Sequence, residues 1–125
     1  MILPEAGELL MPVMAIDGFR LGCLIDASTG MVLASLQNQD GTAPPTAAAG
    51  AADLINVLTL LNGKLATGEI LEDVMVTFSD SFFMVRPVGR EPDPQILLLV
   101  IADRHRTNLA MAHRSIRDFC ASFPS

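Results

Sequence analysis

Two histidines and one acidic cluster are the side chains that could support metal or acid–base chemistry. His105 and His113 are eight residues apart, whereas two metal ligands on one helix face are four apart. Glu69, Glu72 and Asp73 could move protons, but an acidic run in a connecting segment is usually a solvated surface. We therefore expect surface or partly buried histidines, with no metal site.

No catalytic nucleophile and no nucleotide-binding loop stand out. The Gly-x-Ser-x-Gly context of an exposed nucleophile is missing at Ser28, Ser35, Ser79 and Ser81. The pair Gly63-Lys64 has no upstream glycine-rich stretch, so it is not a phosphate-binding loop. We predict that the chain is not an enzyme, is not itself a GTPase and uses no cofactor.

Four arginines could act on a phosphate that another protein holds. An arginine supplied in trans accelerates phosphoryl transfer by roughly 10³–10⁵. If the chain activates a GTPase, the candidates are Arg86, Arg90, Arg104 and Arg106. The alternative is that they are ordinary solvated surface side chains.

The composition indicates one globular domain, residues 1–125, with a surplus of apolar side chains. The chain has 125 residues, of which 50% are hydrophobic and 18% are charged, and its mean hydropathy is +0.43. A domain of this size has little interior. Part of the apolar surplus is therefore expected in an interface.

The charge pattern argues against nucleic acid and membrane partners. The net charge is −6, whereas phosphate binding requires clustered basic residues. The longest apolar run, Ile96–Ala102, is too short to span a bilayer, which needs about 20 residues. A secretory signal begins with basic residues, whereas this chain begins with Glu5 and Glu8, so we expect a cytoplasmic protein. In that compartment Cys23 and Cys120 are expected to be buried thiols, the alternative being a disulfide between them.

Turn residues and apolar periodicity divide the first half of the chain into a helix, a hairpin and a loop. The predicted bounds are Pro4–Met14 for the helix, Arg20–Asp26 and Met31–Leu36 for the strands, and Gln37–Gly50 for the loop. Asp40-Gly41 and Pro44-Pro45 are interpreted as breakers. A loop of this length is either functional or partly disordered, and its composition favours disorder.

The second half of the chain is predicted to form a helix, three strands and a closing helix. The predicted bounds are Ala51–Ala66 with a stop at Gly68, Asp73–Ser79, Ser81–Pro87, a central strand Gln95–Ala102, and Asn108–Phe123. The whole chain is therefore expected to be an α+β domain. Its sheet would have five mostly antiparallel strands with helices on both faces.

Two hairpin segments carry a family resemblance. The first consists of Gly22–Asp26 and Thr29–Ser35, and the second of Glu72–Ser81 and Met84–Pro87. In this order they resemble the Roadblock/dynein light chain family, over residues 9–121. The resemblance implies a profilin-like fold with the element order α-β-β-α-β-β-β-α.

The same resemblance implies how the protein works. Members of this family form homodimers or heterodimers that bind and regulate Ras-like small GTPases, in some cases as activators. Their dimer pairs the helix between the hairpins with its mate and joins the third strands into one sheet. By resemblance, Val74, Val76 and Phe78 of the third strand belong to the dimer interface.

The helix between the hairpins has two apolar sides. With Asp53 at 0° and about 100° per residue, one stripe between about 80° and 140° contains Leu54, Leu58, Leu61 and Leu65. We expect this stripe to face the sheet. Val57 and Leu60 lie near 40° and 340°, between Asp53 and Lys64, so a second partner is implied.

A two-fold axis between antiparallel helices would satisfy this second side. Such an axis pairs residues whose numbers add up to a constant. Val57 with Leu60 and Asp53 with Lys64 both add up to 117, and Asn56 joins them in the predicted interface. The charge pair would favour this register while adding only ~0–1 kcal/mol. The alternative is that Val57 and Leu60 lie beneath the loop 37–50.

Two functions are compatible with these features. The first is a homodimeric adaptor or regulator of a Ras-like small GTPase that modulates its GTP hydrolysis or localisation. The second is a profilin- or PAS-like sensor, which would require a sizeable pocket with a few convergent polar groups. The apolar strands favour the first function, because they offer little that would orient a ligand.

Overall fold

The computed structural model describes residues 6–38, 43–88 and 96–122. In chain order the elements are α1 (Ala6–Leu9), α2 (Met11–Met14), β1 (Phe19–Asp26), β2 (Val32–Gln37), α3 (Pro44–Leu65), β3 (Val74–Thr77), β4 (Ser81–Val88), β5 (Ile96–Asp103) and α4 (Leu109–Ser122). The predicted α+β class and element order are confirmed, with the opening helix divided in two.

The five strands form one sheet in the order β2-β1-β5-β4-β3, and every neighbouring pair is antiparallel. β5 lies in the middle, as its uninterrupted apolar sequence predicts. Its side chains alternate between two cores: Leu97 and Leu99 pack on the side of α3, whereas Leu98 and Val100 pack on the side of α2 and α4. Helices therefore cover both faces of the sheet.

The two cores are apolar throughout. Val13 of α2 and Ile116 of α4 are buried on one face, and Ile55 of α3 is buried on the other. Among the described residues, no polar or charged residue is buried. Within the same ranges, no helix has the length and apolar character needed to cross a membrane.

The predicted loop over Gln37–Gly50 is wrong. Gln37 ends β2, and α3 begins at Pro44, while residues 39–42 lie outside the described ranges. Pro44 and Pro45 occupy the first helical turn. Backbone N–H groups there have no partner within the helix, so the missing N–H of a proline costs no hydrogen bond. The alanines that follow have the highest helix propensity of all residues. These prolines therefore start a helix where they were expected to prevent one.

The predicted glycine stop of this helix is also wrong. α3 ends at Leu65, and Ala66 adopts the left-handed conformation with φ 53° and ψ 38°. The Ala66 N–H donates to the Asn62 carbonyl oxygen at 3.2 Å. Gly68, with φ 76°, serves the connection beyond the helix.

The side of α3 that faces the sheet differs from the predicted leucine stripe. The buried residues are Ala48, Ala51, Ala52 and Ile55, whereas Leu61 and Leu65 are 49% and 62% exposed. Small side chains let the helix approach the turn between β1 and β2 closely: a Cβ added to Gly30 would lie 3.6 Å from the Ala52 Cβ. The prediction failed because it ranked the helix sides by side-chain size and began the helix at residue 51.

The other predicted elements are confirmed, with bounds that shift by one or two residues. The opening helix is two four-residue helices, with Pro12 in the first turn of α2. The predicted bounds at Pro4, Gln95 and Phe123 lie outside the described residues.

The two cysteines are free and belong to different cores, so the disulfide alternative is wrong. Burial raises the pKa of the Cys23 thiol to about 12. Burial also raises the pKa of Cys120 to about 11, although the charge of Arg86 acts in the opposite direction. Both residues are therefore protonated thiols at neutral pH.

We expect both thiols to react slowly with a disulfide reagent at pH 8, because the thiolate is the reactive form. Cys120 should react before Cys23, since its pKa is lower and it is only partly buried. Unfolding in guanidinium chloride should release both thiols within the mixing time. A native protein that reacts as fast as the unfolded one would contradict this expectation, and a Cys120→Ala variant assigns the two phases.

Candidate interaction surface

The outer side of α3 carries an apolar surface that no described residue of the chain covers. Val57 and Leu60 are 63% and 62% exposed. Val57 follows the buried Ile55 by two residues, which turns it about 200° around the helix. The alternative that Val57 and Leu60 lie beneath the segment 37–50 is wrong, because residues 44–50 extend the same helix.

The polar residues predicted for this interface flank the two apolar side chains. Asp53, Asn56 and Lys64 are all exposed. Asp53 lies four residues before Val57, and Lys64 lies four residues after Leu60, so both are about one turn away. These residues form a cluster of two exposed apolar side chains, with an acidic side chain at one end and a basic side chain at the other.

β3 contributes a second uncovered feature, a free strand edge. Among the described strands it is the last of the sheet, and its one pairing there is with β4. Natural proteins protect such edges with charged residues, prolines or bulges, or by keeping the edge strand very short. The strand Val74–Thr77 contains no charged residue and no proline. Phe78, which follows it, is exposed and meets the Phe83 ring edge-on at 4.9 Å.

A groove of about 570 Å³ opens between α3 and the strands β3, β4 and β5. Ala47, Gly50 and Ala51 line the helix side, and Val76 and Phe78 belong to the sheet side. The single polar side chain among its described lining residues is that of Thr46. The groove is therefore an apolar depression that joins the outer part of α3 to the free edge of β3.

Asp73 ties the start of β3 to two other elements. Its Oδ2 accepts a hydrogen bond from Arg86 Nη1 of β4 at 3.0 Å and lies 2.8 Å from His113 Nε2 of α4. From the sequence, Asp73 was expected in a solvated acidic run and His113 at the surface or partly buried; His113 is partly buried. No spacing rule could have found this contact, because it joins residues that are 40 positions apart.

Of the arginines considered for GTPase contact, those in the described residues do not form one cluster, because Arg86 lies apart from Arg104 and Arg106. Arg86 is 19% exposed and is held by Asp73, and Arg90 lies outside the described residues. Arg104 and Arg106 are exposed after β5, where Arg104 Nη1 donates to the Phe78 carbonyl oxygen at 3.2 Å. Arg86 is five residues along β4 from Ser81, so their Cα atoms are about 17 Å apart, and Ser81 pairs with Asp103, the residue before Arg104.

The remaining chemical candidates have structural roles. Ser28 Oγ donates to Asp26 Oδ1 at 2.7 Å in the turn after β1. The hydrogen bonds from Ser28 lower the pKa of Asp26. His105 Nε2 lies 3.0 Å from Asp80 Oδ1 at the exposed end of the sheet. No three His, Cys, Asp or Glu side chains within the described ranges are placed to hold a metal ion.

We expect Asp73→Ala to lower the free energy of unfolding by about 1 kcal/mol, because it removes two charge-assisted contacts that solvent partly screens. Urea denaturation measures the change. Glu72→Ala is the matched control, since Glu72 is the exposed neighbouring carboxylate. Equal stability of the two variants would show that the Asp73 contacts contribute nothing.

Neither the family models nor the curated proteins include a match to this chain. Solved structures do match. A Roadblock/LC7 domain from Streptomyces avermitilis has a TM-score of 0.75 and 18% identity, over 89% of this chain and 87% of that chain.

Two MglB structures are also similar. The gliding protein MglB from Thermus thermophilus has a TM-score of 0.79 and 19% identity, over 96% of this chain and 90% of that chain. An MglB structure with a tetrameric arrangement has a TM-score of 0.80 and 19% identity, over 96% and 89% of the two chains. These likenesses agree with the resemblance inferred from the two hairpins. This chain has the Roadblock/LC7 fold.

Proposed function

We propose that the chain is a non-enzymatic, homodimeric adaptor or regulator that binds a Ras-like small GTPase and modulates its GTP hydrolysis or localisation. The observation that carries the proposal is the uncovered apolar surface on α3, next to the free edge of β3. The cytoplasm, where such GTPases act, is its proposed location.

The proposed dimer uses both uncovered features. On α3, Val57 packs against Leu60 of the partner, and Asp53 faces Lys64 at each end, with Asn56 beside them. On β3, the residues Val74 and Val76 and the adjacent Phe78 extend the interface. Exposure of Val57 and Leu60 supports the first part, and the strand edge without charged residues or proline supports the second. MglB, which shares this fold, has itself been solved in a tetrameric arrangement.

The proposed GTPase partner rests on the Roadblock fold together with the family resemblance of the two hairpins. Arg104 and Arg106 are the arginines with exposed side chains near the end of β5, so they are the proposed contacts to the GTPase. Arg86 would have to leave Asp73 before it could reach a partner. Arg90 remains a proposed contact on the basis of its sequence position alone.

A second candidate function is a sensor for a small apolar ligand. The groove of about 570 Å³ supports it, because this volume suits a small molecule. The lining argues against it, since Thr46 alone among the described residues offers a polar side chain that could orient a ligand. Mass spectrometry of the natively purified protein tests this candidate: a retained apolar molecule in stoichiometric amount would favour it.

We expect Leu60→Asp to raise the dissociation constant of the homodimer at least about thirtyfold, the factor that corresponds to ~2 kcal/mol at a central interface residue. Light scattering over a concentration series measures it. Met111→Asp is the control, because Met111 is an equally exposed apolar residue on the opposite face. A Leu60→Asp variant that remains dimeric would refute the α3 interface.

The GTPase proposal predicts a stable complex with a Ras-like small GTPase from the same organism. We expect its affinity to differ between the GDP form and the form loaded with a non-hydrolysable GTP analogue. If the complex stimulates hydrolysis in trans, Arg104→Ala with Arg106→Ala should reduce single-turnover GTP hydrolysis by roughly 10³-fold or more. If the GTPase binds but its hydrolysis is unchanged, the chain acts as a scaffold and not as an activator. Absence of binding in both nucleotide states would refute the proposal.

A further inference from the structure

We infer that a depression at the C-terminal end of α3 is a docking site for a basic, amphipathic helix of a second partner protein. This acidic depression has a volume of about 330 Å³ and lies between the last turns of α3 and the connection to β3, residues 66–73. Its described lining residues include none of those proposed for the homodimer or for the GTPase contact. The inference therefore goes beyond the proposed function.

The apolar part of the acidic depression is a strip of leucines on α3. Leu58, Leu61 and Leu65 follow one another at intervals of three and four residues, so they lie on one side of the helix. Leu61 and Leu65 are 49% and 62% exposed, and Ile70 of the connection is 69% exposed. The centre of the strip is turned about 100° around the helix from Val57 and Leu60. The proposed homodimer contact is therefore on a different side of α3.

Carboxylates form the rim of the acidic depression. Glu69, Glu72 and Asp73 all line it. Asp73 is held by Arg86 and His113, whereas no cation within the described ranges forms an ion pair with Glu69 or Glu72. Both glutamates are exposed. The site thus combines an apolar surface with two negative charges that no described side chain neutralises.

Hydrogen bonds fix the connection against the end of α3. Asn62 Nδ2 donates to the Glu69 carbonyl oxygen at 2.7 Å. Thr67 Oγ1 donates to Asn62 Oδ1 at 3.4 Å and accepts from the Glu69 N–H at 3.2 Å. The leucine strip and the acidic rim are therefore held in place before a partner arrives, which reduces the ordering cost of binding.

The shape of the acidic depression favours a helix as its occupant. A small ligand needs a site that buries about 70–90% of its surface, whereas the apolar side chains here are about half exposed or more. All the described lining residues lie in α3 or in the connection before β3. An extended segment would therefore find no strand edge to pair with, while an amphipathic helix requires only an apolar surface for its apolar side.

Charge complementarity requires a basic helix, and a second copy of this chain does not supply one. The net charge of the chain is −6. Its helix α3 contains a single basic residue, Lys64. The helix α4 contains Arg114 and Arg117, but it buries its apolar side, including Ile116 and Phe119, in its own core. The occupant is therefore a different protein.

The acidic depression is also remote from the proposed GTPase contacts. It ends at Asp73, which contacts Arg86 of β4. Arg104 follows Asp103, which pairs with Ser81 at the other end of β4, about 17 Å along the strand from Arg86. The two sites also differ in charge, because arginines attract the anionic phosphates that the acidic rim repels. A GTPase and a basic helix can therefore bind at the same time.

The first experiment measures binding of a labelled synthetic peptide by fluorescence anisotropy. The peptide is a helix of about 14 residues, or four turns, with leucines at intervals of three and four residues and with lysine and alanine elsewhere. The control peptide has glutamate in place of every lysine. We expect saturable binding of the basic peptide alone, weakened by added salt because salt screens exposed charges. Absence of saturable binding, or equal binding of the acidic peptide, would overturn the inference.

The second experiment reverses the charge of the rim. We expect Glu69→Lys with Glu72→Lys to weaken binding of the basic peptide at least about tenfold, because two attractive contacts become repulsive. This variant should instead bind the acidic peptide, which also shows that it folds. Glu8→Lys with Asp118→Lys is the matched control, since it changes the net charge equally at exposed carboxylates elsewhere. Equal weakening by both pairs would assign the binding to net charge and overturn the inference.

The third experiment tests the apolar part without changing any charge. We expect Leu65→Gln with Ile70→Gln to weaken binding of the basic peptide at least about tenfold, because both side chains would be buried beneath it. Met11→Gln with Met111→Gln is the control, since these exposed methionines lie on other helices. Unchanged affinity of the Leu65 and Ile70 variant would refute docking on the leucine strip.

These outcomes separate the inference from the proposed function. A chain that binds the basic peptide but neither dimerises nor binds a GTPase would refute the proposed function alone. A chain that dimerises and binds a GTPase but not the peptide would refute the inference alone. Competition between the GTPase and the peptide would assign the acidic depression to the GTPase and overturn the second partner.

Discussion

A sheet that is apolar on both faces imposes the main constraint on this structure. β5 lies at its centre and places Leu97 and Leu99 on one face and Leu98 and Val100 on the other. Both faces must be removed from water, because each exposed apolar side chain costs about 1.5–3 kcal/mol relative to burial. The positions of the helices follow from this requirement.

The two faces are covered to different degrees. α2 and α4 bury one face with large side chains such as Phe119 and Ile116. On the other face α3 packs on the sheet through alanines, and these small side chains also bring the helix close to Gly30 in the turn between β1 and β2. Close contact at its N-terminal half leaves the groove beside β3 open and turns its larger side chains outwards. Incomplete coverage of this face is what links the fold to the proposed interface.

Most of the architecture could be predicted from the sequence. The two hairpin turns and the uninterrupted apolar β5 predict the order of the elements along the chain and the centre of the sheet, and these predictions were correct. The error in α3 has a physical origin. A proline in the interior of a helix destabilises it, whereas a proline in the first turn is well suited to it. Whether Pro44 and Pro45 break or begin a helix therefore depends on where the helix starts.

The candidate surface could be predicted only in part. The angular positions of the residues around α3 predicted that Val57 and Leu60 are exposed, because two apolar sides of one helix cannot both face one sheet. The assignment of the leucine stripe to the sheet failed, since periodicity identifies apolar sides without indicating which one makes the closest approach. The contact of Asp73 with Arg86 and His113 could not be predicted, because it depends on how three distant segments meet in space.

The free edge of β3 has a consequence for the life of the isolated chain. A short uncharged strand with open backbone N–H and C=O groups can accept a strand from any neighbour, including a partly folded copy. Among the described residues, this edge is therefore open to misassembly just after synthesis. In the proposed homodimer, pairing would protect the chain against aggregation and make the folding yield depend on how soon two copies meet.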